Sequence, residues 1–383
     1  MLSNPLPIAR YAFTARVQQP LALPDYAGSL LRGQFGAALR NVACMTRQPT
    51  CPGCPLVSTC PYTRIFEAPP PPKGSHALQD FSQIPNPYLI EPLAPGARVL
   101  AAGDSLVFHL VLVGHAIDQL ALIVFALQRA LQHGLTKTRV PADLMQVDWV
   151  DAAGLAHLIW HIDQPVLQAH LAEIQVPIPT PAQRRESATP APNPLRCEGA
   201  APTGIAPALQ VAKDSIAACA YPIRARSQND AQITLHIQTP LRLQSQGKPL
   251  GVGQLTPRAL IAAIARRTAL LLEFHAGQAG WGEAAKHITH VSQNLTDTQD
   301  LHWFDWTRFS SRQQQEMTLG GVLGTWTLHG DSAAIAEITP WLWLGQWLHV
   351  GKNASMGLGG YRLTAIDGDT WMNPAMQLHY HAA

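Results

Sequence analysis

Two groups of residues in this 383-residue chain have types and spacings that could do chemistry. The first lies near the C-terminus. A Trp-rich apolar run from Trp341 to Leu348 leads through His349 into Gly351, Lys352, Gly357, Gly359 and Gly360, then into Tyr361-Arg362-Leu363. Glycines admit positive φ and close backbone approach. A loop that exposes several N–H groups beside a lysine suits a phosphate chain. It is not a nucleotide P-loop, because the order of glycines followed by Lys and Ser or Thr is absent, and its spacing is not GxGxxG. A tight turn between a helix and a strand is the other reading of the same glycines.

The second group is Cys44-x6-Cys51-x2-Cys54-x5-Cys60, four of the six cysteines within seventeen positions. The Cys51-Pro-Gly-Cys54 turn brings two thiolates toward one ion, and tetrahedral thiolate ligation is the preference of Zn²⁺. An iron–sulfur cluster is the alternative, although the spacings are not those of common ferredoxins. Four thiolates leave no open coordination position, so the expected zinc is structural and has no part in catalysis. It would pin an insertion at 43–80 that is too small to hold its own core. Cys197 and Cys219 read as ordinary thiols.

Basic residues form a third, looser set. Arg308 and Arg312 flank Phe309-Ser310-Ser311, and arginines interleaved with an aromatic fit phosphate contact with base stacking. Arg242, Arg266 and Arg267 are weaker candidates, since arginine on the polar face of a helix is usually just solvated. The formal charge of the chain is only +2 and charged residues make up 14%. Nucleic-acid contact must therefore come from local patches, not from a global field. No basic segment precedes an apolar one at the N-terminus. The longest strongly apolar stretch, Leu120 to Leu127, is too short to span a bilayer. A soluble cytoplasmic protein without membrane contact is the expectation.

The elements that must position these groups are legible in parts. Arg10 to Val17 alternates as a half-buried strand, and Tyr26 to Val42 carries a helical stripe of Leu30, Leu31, Phe35, Ala38, Leu39 and Val42. Ser105 to Val113 alternates again. Ile117 to His133 predicts a helix closed by Gly134. Residues 176–209 are rich in Pro, Ala, Thr and Gln and predict a linker or exposed loop, with a hint of hinge freedom between the halves. Ile233 to Gln244 alternates as a strand, in which Pro240 implies an edge or a bulge. Pro257 opens a helix to about His275. His115 and His133 read as surface or capping residues. Strands mixed with a few helices on both sides of the linker favour α+β layers over a doubly wound parallel sheet.

Several fragments, in order, carry a resemblance. Leu30-Leu31-Arg32-Gly33-Gln34-Phe35-Gly36-Ala37-Ala38-Leu39-Arg40 resembles the start of one branch of the CRISPR repeat-processing endoribonucleases, members of the RAMP superfamily of RNA-binding proteins. Cys51-Pro-Gly-Cys54 and Cys60-Pro-Tyr62 look like that branch's cysteine insertion. Thr239-Pro-Leu-Arg-Leu243, Arg266-Arg267, the run from Trp306 to Gln314, Gly320-Gly321-Val-Leu-Gly324 and the His349 to Tyr361 loop complete the set. The resemblance implies two ferredoxin-like (RRM-like) domains in tandem: 1–175 with the four-cysteine zinc insertion, then 210–383 with the Gly-rich loop at 351–360. It implies RNA across a basic cleft, with Arg32, Arg242, Arg266, Arg267, Arg308, Arg312, Gly351, Gly357 and Gly359 as contacts. It also implies metal-independent cleavage of CRISPR repeat RNA, in which the 2′-hydroxyl attacks the adjacent phosphate and leaves a 2′,3′-cyclic phosphate and a 5′-hydroxyl. His349 would carry the proton, Lys352 would stabilise the phosphorane and Tyr26 would orient the hydroxyl. Relatives often carry a histidine on or near the first helix, where this chain has Ala37. That departure supports the alternative, a non-catalytic subunit holding the repeat end of guide RNA beside other CRISPR effector subunits.

Overall fold

A computed structural model describes residues 6–71, 84–91, 96–174, 230–310, 315–364 and 370–371. The expected linker, Arg312 and two of the cysteines, Cys197 and Cys219, lie outside the described residues.

The first half runs β1 (Ile8–Val17), β2 (Leu21–Leu23), α1 (Gly28–Ala43), α2 (Pro61–Phe66), β3 (Tyr88–Glu91), β4 (Arg98–Leu100), β5 (Ser105–Val113), α3 (Leu120–His133), β6 (Ala142–Val150) and β7 (Ala156–His161). The second runs β8 (Asp230–Leu241), β9 (Gln244–Ser245), β10 (Lys248–Pro249), α4 (Pro257–His275), α5 (Trp281–Val291), β11 (Thr296–Ser310), β12 (Gln315–Asp331), α6 (Ser332–Leu348), β13 (Tyr361–Thr364) and β14 (Thr370–Trp371). The fold is α+β. One antiparallel sheet has the order β3-β5-β1-β6-β7 and the other β11-β12-β8-β13-β14. In each, the first long strand is central, a hairpin pair lies on one side of it, and the strand after the next long helix returns on the other. Each half thus repeats strand, helix, two strands, helix, strand.

Local chemistry sets the ends of these elements. Gly134 closes α3 at φ 96°, a conformation that costs glycine little. Thr256 caps α4 by accepting from the Ala259 N–H, with Pro257 in the first turn, and Asp331 caps α6 by accepting from Ala334 N–H at 2.8 Å. One expectation is corrected: helix α1 begins at Gly28, so Tyr26 precedes it. Of the edge or bulge that Pro240 implied, the structure has the bulge: strand β8 is central, and its register against β12 shifts between Val322 and Gly324. A bulge removes the demand for the missing N–H.

The odd positions of β1, from Ala9 to Val17, join the core under α1 and α3. Ile8 turns to the other side, where the second half packs. There Leu6, Ile8, Leu89, Val111, Val113 and Ile174 meet Leu271 and Leu272 of α4 and Leu344, Trp347 and Leu348 of α6. Helix α6 also buries Ile335, Ile338, Trp341 and Leu342 in the core of the second half. A helix that packs on both sides must be apolar nearly all round, which accounts for its Trp- and Leu-rich sequence. The apolar interface replaces the hinge freedom expected between the halves with a packed contact.

Candidate nucleic-acid interface

A cleft of about 660 Å³ opens where the end of β8 meets α4 and the Gly-rich loop. Arg242, Arg266, Arg267, Gly351 and Lys352 all line it, together with polar Gln244, Ser245 and Gln254. Among the described residues, four cations and no carboxylate stand on its wall. Each arrives for a local reason. Arg242 follows the last residue of β8. Arg266 and Arg267 stand off the core stripe of α4, which buries Leu260, Ile261, Ile264 and Thr268. Lys352 is carried by the loop, and its N–H donates to Arg242 O at 2.9 Å.

These cations are not equivalent. Lys352 and Arg266 are exposed, whereas Arg242 and Arg267 are half-buried. Arg267 donates from Nε to Leu348 O at 2.8 Å, at the C-terminus of α6, where a cation meets unpaired carbonyls favourably. Burial pulls its pKa down to about 10, so it remains charged. Arg242 Nε is buried without a hydrogen bond among the described residues.

Several N–H groups of the Gly-rich loop, expected to face phosphate, are bonded within the protein. Val350 donates to Gly359 O, Lys352 to Arg242 O, Met356 to Asn353 O, Gly357 to Ala354 O and Gly359 to Pro240 O. Gly360 donates to Thr239 Oγ1 at 2.8 Å, and Thr239 donates to Gly357 O at 2.9 Å. The loop closes on itself and on the end of β8, and Gly357 and Gly359 are buried. Its glycines serve geometry. Gly351 has φ 87° and Gly359 φ 73°, and a Cβ on Gly359 would lie 1.8 Å from Val350 O.

His349 and Tyr26 stand behind this loop. His349 follows α6 with φ 52° and is 1% exposed. Its Nδ1 lies 3.2 Å from Leu358 O and its Nε2 3.4 Å from Oε1 of Glu91, on β3 of the first half. Glu91 Oε2 is 2.5 Å from the Arg10 guanidinium on β1. Burial alone would raise the Glu91 carboxyl, but Arg10, His349 and His109 outweigh it and hold it well below the usual carboxylate range. Tyr26 is buried, and its hydroxyl donates to Met356 O at 3.1 Å. Neither residue lines the cleft, so the geometry separates them from the cations with which they were grouped.

The remaining candidates are dispersed. Arg32 on α1 lies 4.5 Å over the Phe66 ring. Arg308 pairs with Met317 in the β11–β12 ladder. Cys44, Cys51, Cys54 and Cys60 line one small cavity with Thr46 and Tyr62, and all four are free thiols. Burial and Glu67 push the Cys51 thiol up. Among the described residues no group of three or more His, Cys, Asp or Glu is drawn together closely enough to hold a metal ion. The cysteines therefore share a cavity without forming a ready ligand set.

Sequence reasoning missed two contacts between the halves. One is the Arg10–Glu91–His349 group; its local signal was a charge, Arg10, within the apolar stretch Ile8 to Phe13. The other is His275, at the end of α4, whose Nε2 donates to Pro85 O at 2.8 Å and whose Nδ1 faces His115 Nε2 at 3.3 Å. His115, expected at the surface or as a cap, is thus half-buried in the contact between the halves. Pro85 also lines the cleft.

Comparison with known proteins gives two family matches. A model described as AF_1859_N, an N-terminal domain, matches residues 6–172. The model for CRISPR-associated endoribonuclease Cas6 matches residues 235–361. No curated protein sequence matches the chain. Among solved structures, a Cas6 product complex aligns over 92% of this chain and 98% of its own, at 14% identity and TM-score 0.49. Cas6 from Thermus thermophilus aligns over 94% and 99%, at 13% identity and TM-score 0.44. A partial Cas6-RT-Cas1–Cas2 complex aligns over 94% of this chain, at 13% identity and TM-score 0.47. The chain spans 46% of that protein and 29% of its counterpart in the Cas6-RT-Cas1–Cas2 complex.

Proposed function

We propose that this chain, whose residues 235–361 match the model for CRISPR-associated endoribonuclease Cas6, binds CRISPR repeat RNA along the Arg242–Lys352 cleft and cleaves it to guide RNA. The observation that carries the reading is the wall that, among the described residues, has four cations and no carboxylate. Such a surface follows a phosphate backbone by charge, and its affinity must fall as salt rises. The repeated strand-helix-strand-strand-helix-strand order supports two ferredoxin-like domains in tandem, within 1–175 and 210–383.

The cleavage we propose is attack of the RNA 2′-hydroxyl on its own phosphate, giving a 2′,3′-cyclic phosphate and a 5′-hydroxyl without a metal. With His349 and Tyr26 buried behind the loop, the cleft contributes cations. Lys352, exposed at its edge, would stabilise the charge of the phosphorane, while Arg242 and Arg266 hold the flanking phosphates for in-line attack. His349 and Tyr26 would act on the loop and only through it on the RNA. The test is incubation with the repeat RNA of the protein's own locus in excess chelator, followed by identification of the ends. One cut leaving a cyclic phosphate supports the reading.

A second reading rests on a specific observation: among the described residues the lining of the cleft includes no histidine, and the first helix has Ala37 where the resemblance led us to expect one. Salt-dependent binding without a cut in the same experiment would assign the chain to holding the repeat end of guide RNA, with other effector subunits as partners. Zinc in the cysteine segment is a separate proposal. Metal analysis of the native protein checks it, and Cys51→Ser should lower zinc content and solubility more than it lowers cleavage. No helix among the described residues is long and apolar enough to cross a membrane.

A further inference from the structure

We infer that Glu91 is a positioning residue whose buried carboxylate, paired with His349 across the contact between the two halves, holds the Gly-rich loop so that Lys352 faces the cleft. The role of Lys352 toward RNA rests on the function proposed above; the role of Glu91 toward the loop does not.

The geometry argues it in steps. Glu91 is 5% exposed and His349 1%, so their pairing is little screened by water. Both ring nitrogens of His349 face oxygen acceptors, Leu358 O and Glu91 Oε1. Nδ1 is within hydrogen-bond distance of Leu358 O at 3.2 Å, and Nε2 lies in ion-pair range of Glu91 Oε1 at 3.4 Å. Arg10 neutralises the far oxygen of Glu91, and His109 stands on the neighbouring strand opposite Glu91. A buried carboxylate so partnered is costly to disturb from one side. His349 in turn lies directly under the loop: a Cβ on Gly360 would come within 2.8 Å of its ring. Tyr26 holds the same loop from the first half at Met356 O. At its other end Lys352 is tied by its N–H to Arg242 O. The first half therefore grips the loop at two points behind the cleft, and Glu91 is the charged one.

Two arms test this on the full chain. Hydrogen exchange of the free protein reads the loop, whose amides at Val350, Lys352, Met356, Gly357, Gly359 and Gly360 are all hydrogen-bonded. Glu91→Gln should speed exchange over 349–360 at least about tenfold while α3 exchanges as in the wild type. His349→Gln, which breaks the pair from the other side, should do the same and stands in if Glu91→Gln does not fold. Unchanged loop exchange, or an equal rise throughout both halves, overturns the inference, the latter showing a merely structural residue. The second arm measures repeat-RNA affinity in a double-mutant cycle. Glu91→Gln should weaken binding about tenfold in the wild type and less than about twofold in Lys352→Ala, because the two act on one contact. Equal losses in both backgrounds overturn the route through Lys352. Wild-type protein that binds no repeat RNA would sink the proposed function, and the exchange arm would still decide the role of Glu91.

Discussion

Lys352 and Arg242 share a wall because a backbone bond ties them, Lys352 N–H to Arg242 O, while their side chains stay outside the core. The two are distinguishable in solution. Lys352→Ala should weaken or abolish cleavage and lower the log–log salt slope of RNA binding by about one. Single-turnover rates and titrations at several salt concentrations check it; wild-type rates would remove Lys352 from the site. Arg267 should behave differently, since its guanidinium caps α6 at Leu348 O. Arg267→Ala should lower the melting temperature as well as RNA affinity, whereas Arg266→Ala, at an exposed position, should lower affinity alone. The residue types were readable as cations. Their inequality was not, because it depends on which of them meets the end of another helix.

At the scale of the element, the Gly-rich loop is a folded unit with a hydrogen-bonded interior. The glycine spacing singled out this segment. Positive φ is needed at Gly351 and Gly359 to turn the chain back on β8, and several of the loop's N–H groups are bonded in doing so. Gly359→Ala places a methyl against Val350 O at a φ that disfavours a side chain. It should cost about 1–3 kcal/mol, read as a lower midpoint in chemical denaturation, and should weaken RNA binding by displacing Lys352. A wild-type midpoint would contradict this account of the loop. Helices α3 and α4 and strand β8 were legible because each has a wet side and a buried side, so its period is visible; β1 and β5 alternate in sequence although the second half covers part of their other face. Helix α6 shows no such period, because it is buried on two sides.

For the whole molecule, the contact between the halves decides how the cleft is kept. Trp347 is 1% exposed within it, and Trp347→Ala should destabilise the protein by about 3–5 kcal/mol, measured by denaturant melts. The contact should also respond to acid. Burial is the main cause that lowers the pKa of His275 from 6.5 to about 4, with His115, Arg267 and Arg64 adding to it and the bond to Pro85 O opposing it. A histidine held neutral in the fold contributes fully above pH 6.5, where the unfolded chain is neutral too. That contribution is lost as pH falls from 6.5 to about 4, because only the unfolded chain takes up the proton. The loss should reach about 3 kcal/mol. Stability measured across this window should slope less in His275→Asn than in the wild type, and equal slopes would show that His275 is not the group concerned. Glu91 adds its own loss at lower pH, since its carboxyl is held down in the fold and protonates first in the unfolded chain.

By itself the sequence determined what nearest neighbours along the chain determine. Alternation set β1, β5 and β8, caps set the ends of α3 and α4, and the glycine and cysteine spacings marked the two segments worth inspecting. It also marked Arg242, Arg266, Arg267 and Lys352 as cations off the core. Only the tertiary structure decided that these four line one cleft, that His349 and Tyr26 stand behind it, and that Glu91 and Arg10 lie in reach of His349. Those partners come from strands, helices and loops of both halves. No local period links them, since a charge buried between the two halves leaves a trace in the sequence only as a polar residue among apolar ones.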